Sequence, residues 1–294
     1  MVIAHLTDIH VASEQDYAGP GGEAWLPKVA KHSEEMLVRV LEDLAARRPD
    51  HVILTGDLTL TSEVSQFERA RAALDRSLGG LPLTVIPGNH DRWCGEAAGR
   101  LERTFGDLMR GDVGGPGFPF CRLAGDVAFV AIDSSPFVAG ADPADVKGRV
   151  GDDQLRDLAA LCADPRLAGR FPILLVHHHL RLSDEDAVSD DPKDPTPLED
   201  AARVEAAIAA SPIGMVLHGH RHRQMRLDLE LGGRRVPVLC PGSATRIDPR
   251  PDRTARYGIY EVDGGGLRRA RVRRWDPDLG DFAWGSFDGG GAAR

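Results

Sequence analysis

Five short peptides of this 294-residue chain carry histidine, aspartate or asparagine residues, and each peptide directly follows an apolar run. The peptides are Asp8-Ile9-His10, Gly56-Asp57, Gly88-Asn89-His90-Asp91, His177-His178-His179 and His218-Gly219-His220-Arg221-His222. Carboxylate, amide and imidazole ligands without thiolate suit Mn, Fe, Zn or Co better than soft metals. Ions of this kind can activate a bound water molecule for hydrolysis.

Each peptide by itself is a weak signal. Asp-x-His occurs by chance, Gly-Asp after a strand is most often a turn, and a histidine run can lie on a surface. The combination is more specific, because turns do not require His, Asn and Asp in preference to Ser or Lys. The carboxyl ends of strands in an open α/β sheet are also where ligands bind.

The apolar pattern predicts the elements that would position these peptides. Strands are predicted at residues 2–6, 51–55, 83–86, 127–132, 173–176 and 215–217. Helices are predicted at residues 33–48, 62–78, 96–109, 152–162 and 197–210. This alternation favours an α/β architecture with much parallel pairing. Further strands at 236–240, 258–262 and 267–273 have no helices between them, which predicts a mostly antiparallel addition.

The chain is predicted to form a single domain over residues 1–275, followed by a loose Gly-rich tail over 276–294. No internal repeat or long polar linker divides it. Two irregular segments, 11–27 and 181–196, begin just after histidine-bearing strand ends. We expect both segments to form loops over a site.

Composition excludes several classes of protein. The net charge of −9 argues against general affinity for nucleic acid. No apolar run approaches the roughly 18 residues of a membrane span, and the start lacks a signal-peptide pattern, so the expected compartment is the cytoplasm. Four widely spaced cysteines predict reduced, mostly buried thiols rather than a metal site or disulfide framework.

Three arginines, Arg269, Arg271 and Arg273, alternate with smaller residues and are predicted to share one face of a strand. Such a face could bind nucleic acid. The net negative charge favours instead an exposed face neutralised by local carboxylates.

As an ordered set, the five peptides resemble the calcineurin-like metallophosphoesterases, whose pattern runs D-x-H, GD, GNH[DE], H and GHxH. The resemblance covers residues 1 to about 245 and lacks no ligand, although residues 126–176 fit only as strand and helix. It implies a sandwich of two mixed β-sheets flanked by helices. It also implies two divalent metal ions and attack of a metal-bridging hydroxide on a phosphate ester.

The family pattern further implies how the ligands divide, with Asp57 bridging the two metals. The first metal would be held by Asp8, His10, Asp57 and His222. The second would be held by Asp57, Asn89, His177 and His220. Many relatives have His-His-Pro at the histidine run of this chain, so His178 stays open as an alternative to His177.

His90 is implied to face the substrate, where it would protonate the leaving oxygen or stabilise charge on phosphorus. Asp91 would orient its ring through a hydrogen bond. The alternative is that His90 only packs in the turn. Arg92, Arg221 and Arg181 lie beside motif residues and could contact substrate oxygens, although arginines at such positions are as often ordinary surface groups.

The favoured function is a phosphodiesterase acting on a small or lipid-linked phosphate ester. A phosphomonoesterase is the next alternative, and the stretch from Gly56 to Asp91 is also similar to bacterial enzymes that cleave the pyrophosphate of a nucleotide-sugar lipid. A DNA nuclease is disfavoured, because the chain is short for the capping region of such relatives. An alternative of another class is a non-catalytic metal-binding scaffold, whose members typically lose ligands that this chain keeps. The metal identity and the oligomeric state stay open.

Overall fold

A computed structural model of the protein describes residues 1–19, 22–135, 147–181, 198–248, 250 and 253–287. The strands are β1 Val2–Leu6, β2 His51–Thr55, β3 Leu83–Ile86, β4 Val113–Gly114, β5 Phe120–Ala124, β6 Val127–Ala131, β7 Phe171–Leu175, β8 Met215–Leu217, β9 Met225–Leu231, β10 Arg234–Cys240, β11 Arg256–Asp263, β12 Gly266–Asp276 and β13 Asp281–Ser286. The helices are α1 Leu26–Val29, α2 Glu34–Ala46, α3 Val64–Leu78, α4 Ala97–Phe105, α5 Asp152–Cys162 and α6 Ala201–Ala209.

The strands form two mixed sheets. The first has the order β13-β12-β11-β1-β2-β3, parallel from β1 to β3 and antiparallel from β1 outward through β11, β12 and β13. The second has the order β4-β5-β6-β7-β8-β10-β9, parallel from β6 through β10 and antiparallel at both edges. The expected architecture of two mixed sheets flanked by helices is therefore confirmed.

Alternation along the strands separates two hydrophobic cores. In β6, Phe129 belongs to the larger core between the sheets, and its ring lies 4.4 Å from that of His51 in the first sheet. The neighbouring Val130 belongs to the second core, together with Leu158 of α5 and Val204 of α6. Helices α5 and α6 therefore cover the outer face of the second sheet.

Helix boundaries follow local capping. Helix α2 begins after Ser33, whose Oγ accepts a hydrogen bond from the Met36 amide at 3.1 Å. Helix α3 ends at Leu78 and is capped by Gly79, which adopts a left-handed φ of 52°. The prediction that this helix begins at residue 62 was wrong by two residues, because Ser62 has a φ of 59° and its hydroxyl donates to the His90 carbonyl instead.

Part of the predicted loose tail is ordered into a strand. Strand β13 pairs antiparallel with β12 from Arg271↔Ser286 to Asp276↔Asp281, so these residues of the tail belong to the first sheet. Phe282 is buried against Trp275, with ring centroids 5.3 Å apart. Because glycines lie near this short strand, its residues were predicted to belong to a loose tail. The predicted loop 181–196 lies almost entirely outside the described residues.

The composition led to three further predictions, about a membrane span, the state of the thiols and the compartment. Within the described ranges, no helix combines the length and apolar character needed to cross a bilayer. The thiols are free, and all are buried except that of Cys94, which is half-buried. The cytoplasmic location stays a prediction.

The arginine face of β12 is only partly as predicted. Glu261 lies 3.4 Å from Arg271 and 3.9 Å from Arg269, which confirms local carboxylate partners. Arg273 is buried rather than exposed, and its guanidinium bonds both oxygens of Asp43 on α2 at 2.8 and 2.9 Å. The Tyr257 hydroxyl donates to the same carboxylate at 2.6 Å. This cluster ties α2 to the antiparallel strands.

Replacing the largely buried carboxylate in Asp43→Asn should lower the free energy of unfolding by about 2–3 kcal/mol at pH 7, because the buried Arg273 loses its counter-charge. Burial alone would raise the pKa of Asp43, but Arg273 and Tyr257 outweigh it and hold that pKa below its ordinary value. The difference between wild type and variant should therefore shrink as pH falls below about 4. Urea denaturation across this pH range measures both effects.

Glu35→Gln is the matched control on the same helix, since the Glu35 side chain is 77% exposed in its pair with Arg39. It should change stability by less than about 0.5 kcal/mol. Equal losses in the two variants would contradict the importance of the buried pair.

Candidate metal centre

The strand-end peptides converge on two overlapping clusters of metal-binding groups. Within each cluster the ligand atoms lie within 4.8 Å of one another. The first cluster consists of Asp8, His10, Asp57 and His222. The second consists of Asp57, His177 and His220. Asn89 completes the second, because its Oδ1 lies 3.1 Å from His177 Nε2 and 3.0 Å from His220 Nδ1.

Asp57 is the residue common to both clusters. Its Oδ2 lies 3.4 Å from His10 Nε2, and its Oδ1 lies 3.4 Å from His177 Nε2. Among the described residues, the buried Oδ2 has no hydrogen-bond partner. Burial opposes protonation of His177, but the Asp57 charge outweighs burial and raises the pKa of His177 to about 9. The buried negative charge of Asp57 needs a positive charge nearby, which fits a cation site.

Hydrogen bonding distinguishes His177 from His178. A carbonyl oxygen only accepts, so the contact of 2.7 Å between His177 Nδ1 and Thr55 O requires a proton on Nδ1. In neutral His177 this leaves the Nε2 lone pair directed at the cluster. The Nδ1 of His178 lies instead 2.9 Å from Ser134 Oγ. These contacts favour His177 as the ligand.

Five of the seven expected ligands have left-handed backbone conformations, which non-glycine residues rarely adopt. Their φ values are 54° for Asp8, 40° for His10, 54° for Asp57, 72° for His220 and 52° for His222. Two backbone bonds hold this geometry, from the Asp8 amide to Gly56 O at 3.0 Å and from the His10 amide to Asp57 O at 2.9 Å. Strained backbone of this kind is concentrated at functional sites.

The motif glycines permit close approach of backbone to ligands. A Cβ at Gly88 would overlap the carboxylate and backbone nitrogen of Asp57. A Cβ at Gly219 would overlap Thr7 Oγ1, and one at Gly56 would lie 2.6 Å from His177 Nδ1. The glycines are therefore required by packing around the ligands.

The expected role of Asp91 was wrong. Its carboxylate accepts hydrogen bonds from the backbone amides of Leu58, Thr59 and Gly88 at 2.9–3.1 Å, rather than from the His90 ring. Burial and the nearby Asp57 charge raise the pKa of Asp91 to about 6, although the hydrogen bonds from the backbone amides lower it. Asp91 therefore ties the loop after β2 to the loop after β3.

The His90 ring is oriented by a carbonyl group. His90 Nδ1 lies 2.7 Å from Leu60 O, so Nδ1 carries the proton and Nε2 is the free ring nitrogen. The ring meets that of His10 edge-on, with centroids 4.7 Å apart. Burial lowers the pKa of His90, and the Asp57 charge offsets only part of this decrease.

The three arginines expected at the substrate have other surroundings. Arg92 pairs with Asp133 at 2.6 Å, and Arg181 pairs with Glu205 of α6 through two bonds of 2.6 and 2.5 Å. Arg221 is only 6% exposed. Arg92 and Arg181 are therefore each paired with a carboxylate outside the two ligand clusters.

Comparison with known proteins agrees with this geometry. The family model described as calcineurin-like phosphoesterase matches residues 1–224. This chain belongs to that family. The chain is accordingly a phosphoester hydrolase.

A Synechococcus protein named as a probable cyclic nucleotide phosphodiesterase is 27% identical to this metallophosphoesterase over 291 residues, which covers 96% of this chain and 95% of the relative. A Pseudoalteromonas protein with the same description is 33% identical over 89 residues, 30% of this chain and 31% of that protein.

Two solved structures share the fold. A dimetal phosphatase from Danio rerio has a TM-score of 0.60 at 12% identity, covering 93% of this chain and 95% of that chain. A Plasmodium protein described as the anchor in the inner membrane complex has a TM-score of 0.52 at 11% identity, covering 93% and 84%.

The segment after β10 supports the first cluster of this metallophosphoesterase, although it contains none of the motifs recognised in the sequence. Ser243 Oγ donates to Asp8 O, and Thr245 Oγ1 donates to Ile9 O, both at 2.8 Å. The available signal was a Gly-Ser-Ala-Thr peptide directly after a strand, in the same position as the recognised motifs.

The described part of the segment 11–27 contributes aromatic side chains beside the site. The Trp25 and Trp93 ring centroids are 4.9 Å apart, and Trp93 lies 5.1 Å from His90. Trp25 therefore brings the end of this segment close to His90, and the prediction that the whole segment lies over the site stays a prediction.

A substitution that changes no ligand should still disrupt the centre. Gly88→Ala should weaken metal binding roughly 10–100-fold, because the added methyl group displaces the Asp57 carboxylate. Metal content after dialysis against a competing chelator measures the loss.

The matched control is Gly115→Ala, since a Cβ at the exposed Gly115 would meet no atom within 4 Å. Undiminished metal binding in the Gly88 variant would contradict the steric role of this glycine.

Proposed function

We propose that this metallophosphoesterase is a phosphodiesterase that uses two divalent metal ions. The observation that carries the proposal is the position of Asp57, whose two carboxylate oxygens face histidines of two different clusters. A single buried carboxylate between two such groups is suited to bridging two cations.

The first ion would be held by Asp8, His10, Asp57 and His222, and the second by Asp57, Asn89, His177 and His220. Bound there, Mn, Fe, Zn or Co would supply a water nucleophile near neutral pH and offset charge on the phosphoryl group. Backbone amides orient the carboxylates that would hold the ions. The amide of His220 donates to Asp8 Oδ1 at 3.0 Å, and the amide of His90 donates to Asp57 Oδ1 at 3.0 Å.

His90 would transfer a proton to the leaving oxygen. With Nδ1 donating to Leu60 O, the nitrogen available for this transfer is Nε2. Protonated His90 would give up the Nε2 proton as the phosphorus–oxygen bond breaks, and the ring would return to the neutral form that its buried position favours.

The substrate we propose is a small phosphodiester, with a cyclic nucleotide as the first compound to test. The Synechococcus relative is named for that activity. Trp93, next to His90, and its neighbour Trp25 offer aromatic surface of the kind on which nucleobases stack. No basic surface is needed to attract such a small anion, since two divalent ions would leave the site locally positive despite the net charge of −9.

Three alternatives are distinguishable. A phosphomonoesterase or a nucleotide-sugar-lipid pyrophosphatase would use the same centre with another substrate. A non-catalytic metal-binding scaffold is the alternative of another class. The presence of the complete ligand set and of His90 in this chain favours the enzyme.

A substrate panel tests the proposal. Protein loaded in turn with each of the four metals should hydrolyse a cyclic nucleotide and bis-nitrophenyl phosphate at least tenfold faster than nitrophenyl phosphate or a nucleotide-sugar lipid. Chelator-treated protein should lose the activity and regain it when metal is returned. A preference for the monoester would replace the phosphodiesterase proposal, and no hydrolysis with any metal would support the scaffold.

His90→Ala should retain both metals and lose a factor of about 10²–10⁴ in kcat. Metal content and steady-state rates on the preferred diester are measured on the same sample. An unchanged kcat at full metal content would remove His90 from the reaction and leave it a packing role.

A further inference from the structure

A third histidine lies beside the first cluster and belongs to none of the family motifs. His10, His32 and His222 offer ligand atoms that lie within 4.8 Å of one another. The ring centroid of His32 is 4.5 Å from that of His10 and 5.4 Å from that of His222. His32 comes from the residues just before α2, far in sequence from the other motifs.

The backbone of His32 is held in place by the segment after β10. His32 forms an isolated antiparallel bridge with Arg246. On either side of it, the Ser33 amide donates to Thr245 O at 3.2 Å, and the Ile247 amide donates to Lys31 O at 2.8 Å. The position of His32 is therefore built by tertiary contacts and is not that of a free surface residue.

Hydrogen bonding also fixes which ring nitrogen carries the proton. The single hydroxyl proton of Thr245 is donated to Ile9 O at 2.8 Å. Thr245 Oγ1 can therefore only accept from His32 Nδ1, which lies 3.0 Å away. In neutral His32 this leaves a lone pair on Nε2, the same arrangement as in His177. A metal-ligating histidine commonly has its other nitrogen fixed in this way.

A purely structural histidine explains these contacts less well. His10 Nε2 and His222 Nε2 lie 2.9 Å apart, so a proton or a metal ion must lie between them, and the His32 ring lies beside both. Ile9, whose carbonyl receives the Thr245 proton, lies between the expected ligands Asp8 and His10. Thr245 thus couples His32 directly to the loop that would hold the first metal.

We propose that His32 is an additional protein ligand of the metal held by Asp8, His10 and His222. This inference rests on the proposed two-metal function. With His32 as a ligand, the two metal sites would differ, since the first would have three imidazole ligands and the second would have two. Imidazole suits zinc and the later transition metals, so the first position would be the tighter one for such ions.

The test is Co²⁺ binding by metal-free protein, measured by competition with a chromophoric chelator and by the visible absorption of the bound ion. The variant is His32→Asn, because the asparagine amide can still donate to Thr245 but has no equivalent of Nε2. We expect one of two sites to weaken at least tenfold and its absorption to intensify, as coordination number falls. Added imidazole should restore binding in His32→Ala.

Lys31→Ala is the matched control, since Lys31 is exposed and contributes its backbone carbonyl to the same bridge. It should bind Co²⁺ like wild type. Unchanged affinity and absorption in a His32→Asn protein with wild-type melting temperature would overturn the proposal while the two-metal function survives. A wild-type protein that binds no Co²⁺, Mn²⁺ or Zn²⁺ would overturn both.

Discussion

The buried carboxylate of Asp57 lies between histidines that follow strands of two different sheets. His10 comes after β1 of the first sheet, and His177 comes after β7 of the second. A charge removed from water must be compensated by nearby groups of opposite charge or by hydrogen-bond donors. In this fold, the charge of Asp57 is compensated only where the strand ends of the two sheets lie next to each other. The packing of the two sheets is therefore also the condition for the site.

The loops around Asp57 serve that condition. Gly88 leaves room for the Asp57 carboxylate. Asp91 accepts hydrogen bonds from backbone amides in the loops after β2 and β3. Two carboxylates so close together repel each other, which is one cause of the raised pKa of Asp91. The hydrogen bonds that Asp91 accepts offset this repulsion. The last residue of the GNHD motif therefore stabilises the scaffold, while Leu60 O orients the neighbouring His90.

Charge is organised locally in this acidic protein. In β12, Arg273 pairs with Asp43, and Arg269 and Arg271 share Glu261, so local carboxylates offset part of the positive charge of this strand. Exposed charges farther apart than about 8–10 Å are largely screened at physiological salt, whereas buried groups are not. Attraction of an anionic ester can thus come from the metal centre alone, independent of the net charge of −9.

The sequence by itself determined the strands that carry the motifs, the helices between them and the set of expected ligands. Those features follow from local periodicity and from ligand-bearing peptides at strand ends. The choice between His177 and His178, the bonding of Asp91 and the position of His32 needed the tertiary structure. Each depends on a hydrogen-bond partner distant along the chain, such as Thr55 for His177 and Thr245 for His32. Strand β13 also needed it, because its six residues are stabilised by pairing with β12.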